Sequence, residues 1–160
     1  MPAHIADYAL IGDCETAALV SHDGSIDWLC WPRFDSDARF AALLGTPDNG
    51  RWRIGPKNNA VRISRQYRPS TLILETRFET EDGVVTLIDF MPQRGGHSNV
   101  VRIVAGERGT VPMCSEMILR FGYGAIVPWV SRLPHRVLRA IAGPDMVLLH
   151  TPIETHGENF

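Results

Sequence analysis

The feature that most constrains this chain is a succession of short apolar or alternating runs, each closed by turn residues. The runs are Tyr8–Ile11, Ala17–Ser21, Ile26–Trp31, Arg51–Ile54, Val61–Tyr67, Leu72–Thr80, Val84–Met91, Val100–Val104, Pro112–Phe121, Ile126–Val130, Arg136–Ala142 and Met146–Thr151. Asp23-Gly24 and Asp82-Gly83 sit between consecutive runs, and glycine accepts the positive φ that tight hairpin turns need. Gly143-Pro144-Asp145 serves the same purpose near the end. Short strands recurring every ~8–12 residues predict an all-β fold, an antiparallel β-sandwich.

One hairpin shows the period. In Leu72–Thr80, alternation places Leu72, Leu74 and Phe78 on one face and Glu75, Arg77 and Glu79 on the other, so one side of this hairpin faces water. A single helix is expected near 37–44. Ser36 can cap it, Ala38, Phe40, Ala41, Leu43 and Leu44 follow at helical spacing, and Gly45 can end it. Two turns are unstable alone, so that helix must pack on the sheet.

A chain of 160 residues suits one domain with its own core, and 44% hydrophobic with 21% charged residues is ordinary for a globular protein. The net charge of -2 supplies no field for nucleic acid or an anionic membrane. Of 16 basic residues only Lys57 is not arginine, and the arginines are spread along the chain rather than clustered. Three cysteines (Cys14, Cys30, Cys114) without a C-x-x-C pair argue against a disulfide framework and a zinc site. The six histidines lack metal-ligand spacing. No metal and no cofactor is therefore expected. The N-terminus lacks a basic n-region and a long apolar core, and no apolar run is long enough to span a bilayer, so a cytoplasmic protein is expected.

The residues richest in chemistry are Trp28, Trp31, Arg33 and Asp35. Indole faces pack on the C–H faces of sugars, and guanidinium and carboxylate groups bind hydroxyls. The same residues admit a structural role. Alternation puts Trp28 and Cys30 on one face and Leu29 and Trp31 on the other, which assigns one indole to the core. Arg33 and Asp35 can simply pair or cap. Asp13, Glu15, Asp27 and Asp35 are the acids near this cluster, and spacing does not show that any two flank a scissile bond, as a glycosidase requires. Turn and strand-end roles suit them better.

The stretch from Ile11 to Ser36 resembles the N-terminal domain of bacterial glycoside hydrolase family 15 proteins, the trehalase-like and glucoamylase-like group. The resemblance continues in Phe40-Ala41-Ala42-Leu43-Leu44-Gly45, Tyr67…Thr71-Leu72, Leu74-Glu75-Thr76, Asp89-Phe90-Met91-Pro92, Arg120-Phe121-Gly122-Tyr123-Gly124 and Val127-Pro128-Trp129. It implies a β-sandwich of the "super-sandwich" kind that precedes an (α/α)6 barrel. That barrel carries two catalytic glutamates and hydrolyses α-glucosidic bonds such as that of trehalose. It implies no catalytic residue within 1–160, a sandwich cut short at its C-terminal end, and a barrel absent from the chain. It makes Trp28, Trp31, Arg33 and Asp35 candidate sugar-contacting residues, and leaves open whether the Trp31–Asp35 loop helps shape the barrel's sugar pocket or is a rigid interdomain wedge. Arg94-Gly95-Gly96-His97-Ser98 and Met113–Glu116 depart locally from the group and are expected to leave the main motifs untouched. The expected partners are a barrel in the same polypeptide and a glucoside, with self-association possible through an open sheet edge. A free-standing carbohydrate-binding or interaction module without hydrolase activity is the alternative.

Overall fold

In the computed structural model, which describes residues 4–157, the runs become antiparallel strands in three sheets. The first sheet has the order β1 (Ala9–Gly12), β2 (Ala17–Val20), β3 (Ser25–Cys30), β5 (Arg51–Pro56) and β10 (Met113–Ile118), with β4 (Ala38–Phe40) paired to β3. The second runs in chain order through β6 (Arg62–Tyr67), β7 (Leu74–Glu79), β8 (Gly83–Phe90) and β9 (Val101–Gly109). The third is β11 (Trp129–Leu133), β12 (Val137–Ala142) and β13 (Asp145–His150). The architecture is the expected all-β, sandwich-like one.

The segment expected as a helix near 37–44 is a correction. It divides into β4, whose three residues are all buried, and a single 3-10 turn at Ala42–Leu44 followed by Gly45. Short apolar runs do not distinguish helix from strand by spacing. Here the sheet decides: Phe40 aligns with Leu29 and Ala38 with Cys30, and the Trp31 N–H donates to the Asp37 carbonyl. Those bonds satisfy backbone groups that a two-turn helix would leave open at both ends.

Ile11, Ala18, Val20, Ile26, Leu29 and Phe40 of the first sheet meet Leu74 of the second and Ala140 of the third, with Leu119 and Phe121 between them. A second cluster joins Ile54 to Phe78, Val85 and Leu87. In β7, Leu74, Thr76 and Phe78 are buried and alternate with half-buried Glu75, Arg77 and Glu79. Leu72 lies before the strand and is exposed.

The Asp23-Gly24 turn packs tightly against β5 of its own sheet and against Phe78 of the facing sheet. A Cβ on Gly24 (φ +81°) would lie 2.2 Å from the Ile54 carbonyl oxygen and 3.3 Å from Phe78 Cζ. Arg102 crosses the same gap. It pairs with Asp89 and donates to the Gly24 carbonyl at 2.6 Å and the Trp52 carbonyl at 2.5 Å.

The third sheet is held to the body by Ala140, Ala142 and Val147 in the core and by buried Arg39, whose Nη2 lies 3.0 Å from Asp145. The Arg39 guanidinium also sits 4.5 Å over the Phe121 ring. Register places Trp129, Ile141 and Met146 in one row across the opposite face, with Leu148 beside Arg139 in the next. Trp129 is 78% exposed and Met146 57%. A sheet apolar on both faces is the pattern of an element covered on both sides.

Candidate functional site

The loop that follows β3 starts with a cis Trp31-Pro32 peptide and is closed on itself. The Arg33 N–H donates to Ser36 Oγ at 3.2 Å, and the Ser36 N–H to the Arg33 carbonyl at 3.1 Å. At its tip the Arg33 guanidinium meets the Asp35 carboxylate, Nε to Oδ1 at 3.0 Å and Nη2 to Oδ2 at 3.4 Å. Both side chains are open to solvent, at 65% and 73%, and Phe34 between them is exposed. The tip thus presents a charged pair and an aromatic ring.

Beneath the tip lies a polar knot. Arg94 donates to Asp13 Oδ2 through Nε (3.1 Å) and Nη2 (2.9 Å), to Glu15 through Nη1 (3.0 Å) and to the Pro32 carbonyl (2.6 Å). Ser98 Oγ donates to the same Asp13 oxygen at 2.8 Å. The other Asp13 oxygen accepts the N–H groups of Glu15 and Thr16, and Thr16 Oγ1 donates to the Cys30 carbonyl at 2.5 Å. The Phe34 N–H donates to the Glu15 carbonyl. The β1–β2 turn, the start of the loop and the 94–98 segment are therefore one unit.

Burial pushes the Asp13 carboxyl up, but the bonds from Arg94, Thr16, Ser98 and Glu15 together outweigh it and hold the group down at about 2. Asp13 is ionised at neutral pH and committed to Arg94, so it is no proton donor. The expectation that 94–98 leaves the main motifs untouched is corrected here: Arg94 reaches Pro32 and Asp13 directly.

The two tryptophans separate. Trp31 packs against the main core with Leu29, and its Nε1 is buried with no partner among the described residues. Trp28 lies on the other face, with Cys30, Ala38 and Ala41, its ring 6.1 Å from that of Tyr123 and tilted by 42°. Burial pushes the Cys30 thiol up, opposed by a hydrogen bond with Tyr123. The structure thus joins Arg33 to Asp35 and sets Trp28 apart from Trp31, as alternation along β3 requires. Asp27 is engaged elsewhere, accepting from Tyr8 Oη at 2.8 Å and Ser25 Oγ at 2.5 Å. Burial first, then this bond, pushes the Tyr8 phenol up.

Among the described residues no three His, Cys, Asp or Glu side chains are grouped to hold a metal ion. Two cavities open elsewhere. One of about 160 Å³ lies on the second sheet, lined by Ser64, Gln66, Glu75, Arg77, Thr86 and Glu107. Another of about 420 Å³ lies between Arg132, Arg136, Val137 and residues 151–156. Among the described residues no helix is long and apolar enough to cross a membrane.

Fold and loop together define an all-β domain that offers a braced polar tip on one side and an apolar sheet face on another. Comparison assigns it further. The profile of the family described as "Trehalase-like, N-terminal" matches residues 1–151, and the chain belongs to that family. It is 38% identical over 115 residues to the trehalase of Mycolicibacterium smegmatis, covering 72% of this chain and 17% of that protein. It is 44% identical over 115 residues to the trehalase of Mycobacterium tuberculosis, with the same coverages. With trehalase 1 of Sulfolobus acidocaldarius the identity is 36% over 123 residues, 76% of this chain and 20% of the relative. The matched part is thus a fifth or less of these relatives. No solved structure matches.

Proposed function

We propose that residues 1–160 serve as the non-catalytic β-sandwich domain of a bacterial, cytoplasmic trehalase of glycoside hydrolase family 15. In this reading the domain supports a catalytic (α/α)6 barrel in the same polypeptide. It lends the Arg33–Asp35 tip to the rim of the sugar pocket, with Trp31 and Trp28 holding the loop's root from either face. The substrate is an α-glucosidic bond, that of trehalose or a related glucoside.

The observation that carries the reading is the Arg94–Asp13 knot. A buried carboxylate and a guanidinium that makes four hydrogen bonds to three oxygens are spent on fixing one exposed loop. A site built to hold a charged tip in one place suits recognition of a ligand brought to it by another domain. The exposed row Trp129–Ile141–Met146 supports the scaffolding part, since an apolar sheet face of this kind suits contact with further polypeptide. The four acids that the sequence places near the cluster are engaged: Asp13 and Glu15 by Arg94, Asp27 by Tyr8 and Ser25, Asp35 by Arg33. That favours support over catalysis.

The test is a hybrid in which this chain replaces the matched region of the Mycobacterium tuberculosis trehalase. Arg33→Ala in an active hybrid is expected to raise KM for trehalose about tenfold with an unchanged melting temperature. Unchanged kinetics with a lowered melting temperature would reject the pocket role and leave a wedge. Tight binding of trehalose or maltose by the 160-residue chain alone would favour a free-standing binding module.

A further inference from the structure

The first sheet ends on β1, and the sequence Ala9-Leu10-Ile11-Gly12 gives that edge no charge and no proline. Uncharged apolar edges of this kind accept a strand from another chain. Leu10 is aligned with Leu19 of β2, yet both of its main-chain groups are used elsewhere. The Leu10 N–H donates to Tyr67 Oη at 2.9 Å, and Tyr67 Oη donates to the Leu10 carbonyl at 2.8 Å. In an antiparallel pair, alternate residues turn both groups outward, so these are the groups that an incoming strand would take. Tyr67 belongs to the facing sheet, at the end of its own edge strand β6. One hydroxyl therefore spans two sheets and occupies the outward groups of Leu10 on β1. Nearby, Arg65 Nη1 donates to the Val20 carbonyl at 3.2 Å and ties the same two sheets.

We infer that Tyr67 guards the β1 edge against antiparallel pairing with the β1 of a second copy. The exchange is one for one. Two Leu10 residues facing each other in a hydrogen-bonded pair would give each N–H and each carbonyl the partner that Tyr67 supplies now. Tyr67 is 41% exposed, so water and a competing strand both have access to the bond it makes. The hydroxyl is what holds the ring over Leu10; without its two bonds the half-exposed side chain is free to swing aside and admit a strand.

Tyr67→Phe tests this, read by amide hydrogen exchange at Leu10 and by sedimentation velocity on the full chain. In the wild type, protection at Leu10 is expected to be independent of protein concentration. In Tyr67→Phe the Leu10 amide is expected to exchange fast when dilute and to gain about tenfold protection when concentrated, as a dimer forms. Adding Leu10→Pro is expected to abolish that dimer, because proline removes the outward N–H and leaves the β1–β2 bonds intact. A synthetic peptide of residues 8–13 is expected to bind Tyr67→Phe and not the wild type, and retained exchange protection in β7 and β8 reports that the variant is folded. Fast exchange at Leu10 at every concentration, or association that Leu10→Pro does not reverse, would overturn the inference.

Discussion

Arg102 and Asp89 form a fully buried ion pair between neighbouring strands, Nε to Oδ1 at 2.8 Å and Nη2 to Oδ2 at 3.1 Å, with both side chains 0% exposed. The remaining donors of Arg102 reach the Trp52 and Gly24 carbonyls of the facing sheet, and its guanidinium lies 5.1 Å from the Trp52 ring. Each polar atom taken from water is thereby repaid with a partner, the condition under which a buried pair is tolerated. Asp89 of the Asp89-Phe90-Met91-Pro92 motif is thus a residue of the sandwich interior.

Removing one member leaves a buried charge uncompensated. Asp89→Ala is expected to cost about 3–5 kcal/mol in urea unfolding. Arg102→Met should cost a similar amount and also free the Gly24 and Trp52 carbonyls. The double variant should lose less than the sum of the two, since the orphaned charge is gone. Additive losses would show that the pair is not coupled.

Acid should weaken the fold through Asp13. Its folded value, about 2, lies below the ordinary carboxylate value of 3.8. The unfolded chain therefore binds the proton first. The stabilisation is fully present above pH ~4 and is lost as pH falls from there toward ~2, with a total on the order of 2 kcal/mol. Arg94→Ala should flatten this part of the stability profile. An unchanged profile in that variant would show that the Arg94 bonds do not set the Asp13 value.

Gly24→Ala should destabilise through two causes. The φ of +81° is strained for any residue with a Cβ, and the added methyl would overlap the Ile54 carbonyl at 2.2 Å. A loss of at least about 1–3 kcal/mol is expected from the backbone strain alone. Gly95→Ala, where a Cβ meets nothing within 4 Å, is the control and should be near neutral. Equal losses at both positions in thermal unfolding would contradict the close approach of the turn to β5.

Trp129 should dominate quenching of the chain's fluorescence. It is 78% exposed, whereas Trp28, Trp31 and Trp52 are packed against core clusters. Trp129→Phe is expected to remove most of the emission that acrylamide reaches. If most of the accessible emission persists in that variant, the quencher reaches Trp28, Trp31 or Trp52, and the contrast between exposed Trp129 and the packed indoles is contradicted.

Much of the fold was legible along the chain because its signals are local. Alternation in Leu74–Phe78 and glycine at the Asp23-Gly24 turn act within a few residues, and a two-residue period decided that Trp28 and Trp31 part company. The segment around Arg39 misled because Ala38, Phe40, Ala41 and Leu44 fit helical spacing by chance. Its true partners, Leu29, Phe121 and Asp145, are distant in sequence. The candidate site was legible in part. Arg33 and Asp35, two residues apart, do meet. Arg94 bonds a residue 81 positions away and Arg102 a carbonyl 78 positions away, and such pairings carry no local mark.

The most direct test of the account is trehalose hydrolysis by two purified proteins: this chain alone, and the hybrid in which it replaces the matched region of the Mycobacterium tuberculosis trehalase. The account predicts no glucose release from the chain and hydrolysis by the hybrid. Glucose released by the chain alone, or a folded hybrid that is inactive while the intact relative is active, would contradict it.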